Sequence, residues 1–290
     1  MQKIIPFLWF NNQAEEAAKF YTSLFTNSKI TNLSNIEEGP AKGSVVVSFQ
    51  LEGHEFIGLD GGPYFKFTPA ISFFVSCKTE KEIDNLWKSL SEKGEILMPL
   101  DKYPFSEKFG WVNDRFGVSW QLNYAYNSQK ITPFLMFVGK QHGRAKEAME
   151  FYTSLFKNSK IINITPHEKS EGELDGTVKH AKFSLNGQEF MALDSGLDHK
   201  FTFSPAISFL INCETQKEID ELWEKLSKNG KKEQCGWVKD KYGVSWQIVP
   251  RGINKFFGGK DAEKSKRAIK AMLQMKKLDI NALKKAYEGK

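Results

Sequence analysis

Cysteine, histidine and long apolar runs are all scarce in this sequence, and each scarcity removes a class of protein. Three cysteines, Cys77, Cys213 and Cys235, cannot build the multi-bridge framework of a small secreted domain. No C-x-x-C or H-x-x-x-H spacing marks a zinc site. No apolar stretch approaches the roughly 20 residues that a membrane-spanning helix needs. Lys3 ahead of a short apolar run resembles the start of a signal peptide. The same run returns mid-chain as KITPFLMF (130–137), where no signal can sit, so it is read as a strand and the chain as cytoplasmic. A phosphate-cradling glycine loop is missing too, because Gly61-Gly62 lead into Pro63 and a further strand rather than a helix.

What is present begins with an uneven charge. The net charge of +6 belongs to the end of the chain. Residues 251–290 hold 12 Lys and Arg against 4 Asp and Glu, which leaves 29 against 31 for the first 250. A basic tail therefore follows a nearly neutral body. Its apolar Ala268, Ile269, Met272 and Met275 fall on one helical side, and Asp279 caps a second helix through Leu283 and Tyr287. This stripe is expected to dock on a domain with the lysines solvated. Nucleic acid is not an expected partner, for want of arginine and aromatic interleaving.

The body is a duplication. IPFLWF (5–10) matches TPFLMF (132–137), and AKFYTSLFTNSKI (18–30) matches MEFYTSLFKNSKI (149–161). TPAISFFVSC (68–77) matches SPAISFLINC (204–213), and GWVNDRFGVSWQ (110–121) matches GWVKDKYGVSWQ (236–247). The second copy lacks most of ILMPLDKYPFSEKF (96–109). The repeat is too long for a solenoid, so two domains are expected, at 1–126 and 131–250, with the tail at 251–290. Each copy reads as strand, helix and three strands, twice over, with an Asn186-Gly187 hairpin turn and helix periodicity in Ile219, Leu222, Trp223 and Leu226. The fold class is α+β: two βαβββ modules per domain, curling into an open cup-shaped sheet with helices outside.

The run QCGWVKDKYGVSWQIVP, the FYTSLF helix and the PAISF strand are similar to the PhnB-like branch of the vicinal oxygen chelate (glyoxalase/bleomycin-resistance) superfamily, whose members often carry the label "3-demethylubiquinone-9 3-methyltransferase-like". The resemblance covers residues 1–250 twice and implies tandem glyoxalase-like domains arranged as an intrachain pseudo-dimer, compatible with a homodimer. It implies a metal held by strand His, Glu or Gln side chains. Matched by position, those ligands fall at Pro6 and Pro133, at Pro69/Ala70 and Pro205/Ala206, and at Gln121 and Gln247. Such a set gives a divalent ion no charged companion, so no metal ligand is assigned and no cofactor is expected. With no nucleotide-type loop, a typical methyltransferase is not expected either.

Strand alternation nominates the site. In VKHAKFSL, Ala181, Phe183 and Leu185 face the helices, leaving Val178, His180, Lys182 and Ser184 in the cup. In PAISFLIN and VSWQIV the same rule leaves Ser208 and Gln247 inside. The expected site is a small-molecule cup of the second domain presenting His180, Ser208 and Gln247, with Asp194 on its rim. The first copy keeps Ser72 and Gln121 but has Val46 in place of His180, and its cup is expected to be degenerate. His180 is the candidate catalytic group and Gln247, Ser208, Asp194 and Gln121 are candidate ligand contacts. The leading expectation is a metal-free small-molecule binder; the alternative is a metal-assisted lyase, isomerase or dioxygenase acting on a small oxygenated substrate. Trp111 and Trp237 are read as core, His54 and His199 as exposed, and Cys235 as a thiol whose pKa Lys231 and Lys232 could lower.

Overall fold

The computed structural model describes residues 2–36, 42–125, 129–168, 175–256 and 261–290. The domain end placed at residue 126 lies outside them. The first copy runs β1 (Ile4–Phe10), α1 (Ala14–Leu24), β2 (Lys29–Asn35), β3 (Val45–Leu51) and β4 (His54–Asp60). Its second module follows as β5 (Ile71–Cys77), α2 (Glu80–Ser91), β6 (Glu95–Tyr103), β7 (Ser106–Asn113) and β8 (Ser119–Tyr124). The second copy repeats this order with β9 (Ile131–Val138), α3 (Ala145–Leu155), β10 (Lys160–Pro166), β11 (Val178–Leu185) and β12 (Gln188–Ser195). It ends with β13 (Ile207–Cys213), α4 (Gln216–Ser227), β14 (Lys231–Lys232), β15 (Trp237–Lys239) and β16 (Ser245–Pro250). The tail forms α5 (Ala262–Gln274) and α6 (Ile280–Glu288).

Local chemistry sets these boundaries twice over. α2 and α4 start at Thr79 and Thr215, whose side chains accept from the backbone N–H of Glu82 and Glu218 at 3.2 Å. Those glutamates reach back to accept from Lys78 and Glu214 backbone N–H groups at 2.7 Å, a reciprocal cap that satisfies the free donors of the first turn. The β11–β12 hairpin turns on Asn186 and Gly187, both at positive φ, which suits the right-handed twist of its strands. Asp279 caps α6 as expected, accepting from Ala282 at 2.7 Å.

The modules assemble across the copies. One eight-stranded sheet has the order β14-β15-β16-β13-β1-β4-β3-β2, and the other β10-β11-β12-β9-β5-β8-β7-β6. β1 pairs antiparallel with β13, and β9 pairs antiparallel with β5. Each sheet thus joins the first module of one copy to the second module of the other. Matching ion pairs tie the joints: Lys3 to Glu218 at 2.6 Å, and Lys130 to Glu82 at 2.7 Å.

The core, by contrast, packs within copies. Phe56 of β4 meets Phe73 of β5 edge-on at 5.3 Å, and Tyr21 of α1 lies 5.2 Å from Trp120 of β8. Asp114 binds both rings: it accepts from Tyr21 at 2.7 Å and Trp120 at 2.8 Å, and from the turn amides of Phe116 and Val118. Asp240 does the same for Tyr152 and Trp246. Each copy is held by its own aromatic core while both of its sheets continue into its twin.

Candidate functional site

Each sheet has one face on the helices and one turned away. Directly paired residues share a face, so the register reads out the second face as a row. On the sheet centred on β9 and β5, Met191 pairs with Phe134, Phe134 with Ser72, and Trp111 with Gln121. Gln121 donates its amide to the Ser72 hydroxyl at 2.8 Å, and His180 lies 6.1 Å from Phe134 between ring centres. On the other sheet Ile57 pairs with Phe7, Phe7 with Ser208, and Trp237 with Gln247, which donates to Ser208 at 3.0 Å. Val46 and Leu59 continue that row. The two rows are built to one plan, but one carries His180 and Lys182 where the other carries Val46 and Ser48.

The exchange corrects the expected site. His180 shares its cup with Ser72 and Gln121, while Ser208 and Gln247 face the other cup with Val46. No cup is made by the second copy alone, because β9 and β13 lie in different sheets. The expected degenerate cup of the first copy dissolves for the same reason.

Asp194 is a structural residue, not a rim contact. It is buried, and its carboxylate accepts from the backbone N–H groups of Gly143 at 2.8 Å, Ala145 at 3.1 Å and Val178 at 2.9 Å, fixing the start of α3. Asp60 does likewise for Ala14 at 2.7 Å. Val178 joins the helix-side core rather than the cup, since the β10–β11 pairing shifts register between Thr165 and Pro166.

Lys182 shares the His180 cup, because it pairs directly with Met191, and it forms an ion pair with Glu189 at 3.3 Å. Beside these and the Gln121–Ser72 pair the described lining is mainly apolar. Phe74, Phe109, Phe134 and Met191 are buried together, with Met98, Tyr103, Trp111 and Leu193 packed against them. Trp111 is thus a cup residue rather than helix-side core, held by a 2.8 Å bond from its indole N–H to Ser119; Trp237 is its counterpart in the other cup. Burial lowers the pKa of His180, helped by the Lys182 charge, so the ring is neutral at pH 7 and can accept as well as donate. Its ring makes no hydrogen bond to the described residues.

Phe134 is the position that alternation missed. The family-based match placed a ligand at Pro133, but Pro133 pairs with helix-side Phe73, and Phe134 points into the cup. β9 is buried along its whole length, so hydropathy carried no sign of which alternate set faced which side. Phe134 has no donor atom, and Ser72, Gln121 and Met191 are neutral, so with His180 as the one imidazole beside them this row does not fit a divalent ion. No cluster of three or more His, Cys, Asp and Glu exists among the described residues.

Other expectations change as well. His199 is half-buried and bonded to Ser195 at 2.9 Å, and His54 is half-buried. Burial raises the Cys235 thiol pKa, while Lys231 and Lys232 pair with Glu233 and Glu224 instead. Gly61 follows β4 but serves packing: its N–H bonds Phe10, and a Cβ there would meet the Trp9 ring at 1.9 Å. An open groove of about 620 Å³ lies outside both cups, where Lys3, Glu218, Glu214 and Arg251 line it as two ion pairs. Among the described residues no helix is long and apolar enough to cross a membrane.

Comparison with known proteins follows the same duplication. A family model described as 3-demethylubiquinone-9 3-methyltransferase matches residues 2–123 and again 129–249. A putative 3-demethylubiquinone-9 3-methyltransferase, PhnB protein, from Bacillus cereus is 52% identical over 43% of this chain and 100% of its own, at TM-score 0.41. Glyoxalase I from Zea mays is 12% identical over 86% of this chain and 92% of its own, at TM-score 0.56. A putative dioxygenase from Bacillus subtilis is 7% identical over 85% and 84%, at TM-score 0.51. These last two likenesses show a common fold. A search of curated proteins gives no match.

Proposed function

The chain belongs to the family described as 3-demethylubiquinone-9 3-methyltransferase, with a glyoxalase-type fold in two tandem copies, and on that premise we propose that it binds a small molecule in the cup of His180, Ser72 and Gln121 without a metal. The observation that carries this reading is the make-up of the row across that cup. Apolar Phe134, Met191 and Trp111 flank one neutral imidazole and one amide–hydroxyl pair, with the Lys182–Glu189 ion pair at one end, which suits a flat, mostly apolar ligand with one or two hydrogen-bonding groups. The family's descriptive name speaks of methyl transfer, yet the glycines after β4 stitch back onto β1 instead of opening a helix toward a cofactor. His180 keeps an acid–base role within reach, because a neutral imidazole can take a proton from a bound substrate.

A thermal-shift screen of aromatic small molecules and divalent ions, run on the wild type, His180→Ala, Gln121→Ala and Gln247→Ala, tests the reading. Aromatic compounds are expected to raise the Tm of the wild type and of Gln247→Ala, and to lose at least about half of that shift in the other two. Stabilisation by a divalent ion that vanishes in His180→Ala would replace this reading with the metalloenzyme one.

A further inference from the structure

The second cup has the same plan but a different cover. Ile5, Phe7, Leu210 and Val249 form its floor, with Ile57, Leu59 and Trp237 beside them. Leu278 is wholly buried in that floor, and Met272 and Met275 pack against it. These residues come from the end of α5 and the link to α6, so the far end of the tail's apolar stripe, with Leu278 beyond it, covers the second cup, while Ala268 packs against Phe256 and Leu283. Room exists because β14 and β15 are short, whereas β6 and β7 of the first copy supply Met98, Tyr103, Phe109 and Trp111 to the His180 cup.

The cover is anchored along most of its length, weakly at its start, where Gln234 donates to the Leu273 carbonyl at 3.4 Å and the Cys235 thiol to the Met272 carbonyl at 3.7 Å. Cys235 and Gly236 donate their backbone N–H groups to Met275 and Lys276 at 2.8 and 2.7 Å. Gln216 donates to the Leu278 carbonyl at 3.0 Å and accepts from the Ile280 N–H at 2.8 Å. Lys277 pairs with Asp220 at 2.8 Å. None of these bonds belongs to a strand pairing of β13, β16 or β1. The segment can therefore lift as a unit while the sheet stays intact, and two of its three floor contacts are flexible methionines.

We propose that residues 272–278 are a displaceable strap over a second ligand site, which takes an apolar, aromatic-sized small molecule with a hydrogen-bonding group facing Gln247. Beneath the strap lie Phe7, Leu210, Val249 and Trp237 around the Gln247–Ser208 pair, which repeats the apolar walls and the amide–hydroxyl pair of the first cup without its imidazole. The inference rests on reading that first cup as a ligand site. It adds that ligand and tail compete for the second.

The full-length chain tests it with 8-anilinonaphthalene-1-sulfonate as the probe and native-state hydrogen exchange as an independent readout. Peptides over 270–280 are expected to exchange at least about 100-fold faster than those of β13 and β16, and Leu278→Asp and Gln216→Ala to widen that gap. Leu278→Asp is expected to bind one more equivalent of probe than the wild type and to quench a fluorescence component that Trp237→Phe removes. Gln216→Ala, which leaves the buried floor untouched, guards against mere loosening of the core, and is expected to shift probe affinity in the same direction. Equal protection of 270–280 and β13, or a released strap with no added probe equivalent in either variant, overturns the proposal. Probe uptake by Leu278→Asp with none by the wild type keeps the strap and removes the reading of the first cup, so the two fail separately.

Discussion

The two cups differ in what stands over them more than in what lies within. Both carry phenylalanine, serine, glutamine and tryptophan in one row across four strands. One adds His180 and is lined by a long hairpin of its own sheet; the other has Val46 and is filled by Leu278 from the tail. A duplicated fold has kept its framework and changed what packs over each cup. The difference also shows that the copy is the wrong unit for reasoning about the site, because each cup's sheet draws half its strands from each copy.

The framework half of this comparison breaks first at the buried aspartates. Asp114→Ala and Asp240→Ala each strand a tyrosine, a tryptophan and two turn amides in the core. Each is expected to lower stability by about 3–5 kcal/mol in urea unfolding, and by nearly the same amount, since the two nets are alike. A difference of more than about 2 kcal/mol would show that the copies no longer share one core design.

The exchange of modules is sharpened by a double-mutant cycle on ligand affinity. His180→Ala and Gln121→Ala are expected to couple by about 1 kcal/mol, whereas His180→Ala and Gln247→Ala, in different sheets, add independently. Coupling of His180 to Gln247 instead would contradict the exchange. Acid should act on the same cup: burial favours the neutral imidazole, so affinity and the His180 contribution to stability hold above pH 6.5 and fall as pH drops below it.

The smallest expected effect lies where the copies have diverged in charge. Glu147 accepts from Tyr242 at 2.9 Å and pairs with Lys241 and Arg144, while the matching Glu16 is exposed and Arg115 stacks on Phe20 at 4.1 Å. The Lys241 hydrogen bond leads in holding the Glu147 pKa down at about 2. Its stabilisation is therefore present above pH 4.5 and lost as pH falls toward 2. Half-exposed as it is, Glu147→Gln should lower stability by under about 1 kcal/mol at pH 7, against no measurable change for Glu16→Gln.

Much of this was legible in the sequence. The repeat, the helix periodicity of Ile219, Leu222, Trp223 and Leu226, the Asn186-Gly187 turn and the helix-facing sets of β11, β13 and β16 follow from spacing and alternation. The exchange was not legible for a definite reason. TPAISF and SPAISF offer β1 and β9 nearly identical partners, so pairing within a copy and across copies looks the same locally. Phe134 was hidden because β9 is apolar on both faces. The amphipathic stripe of the tail told that it docks, but only the short β14–β15 hairpin shows where the room for it is.

The central claim is that the cup of His180, Ser72 and Gln121 is a ligand site of an exchanged pair. Soaking crystals of the full-length protein with a mixture of aromatic fragments tests it most directly. Fragment density is expected against Phe134 and the Gln121 amide, within hydrogen-bond reach of His180, with Leu278 still seated in the other cup. Density confined to the groove beside Arg251, with the His180 cup left without a fragment, would contradict the account.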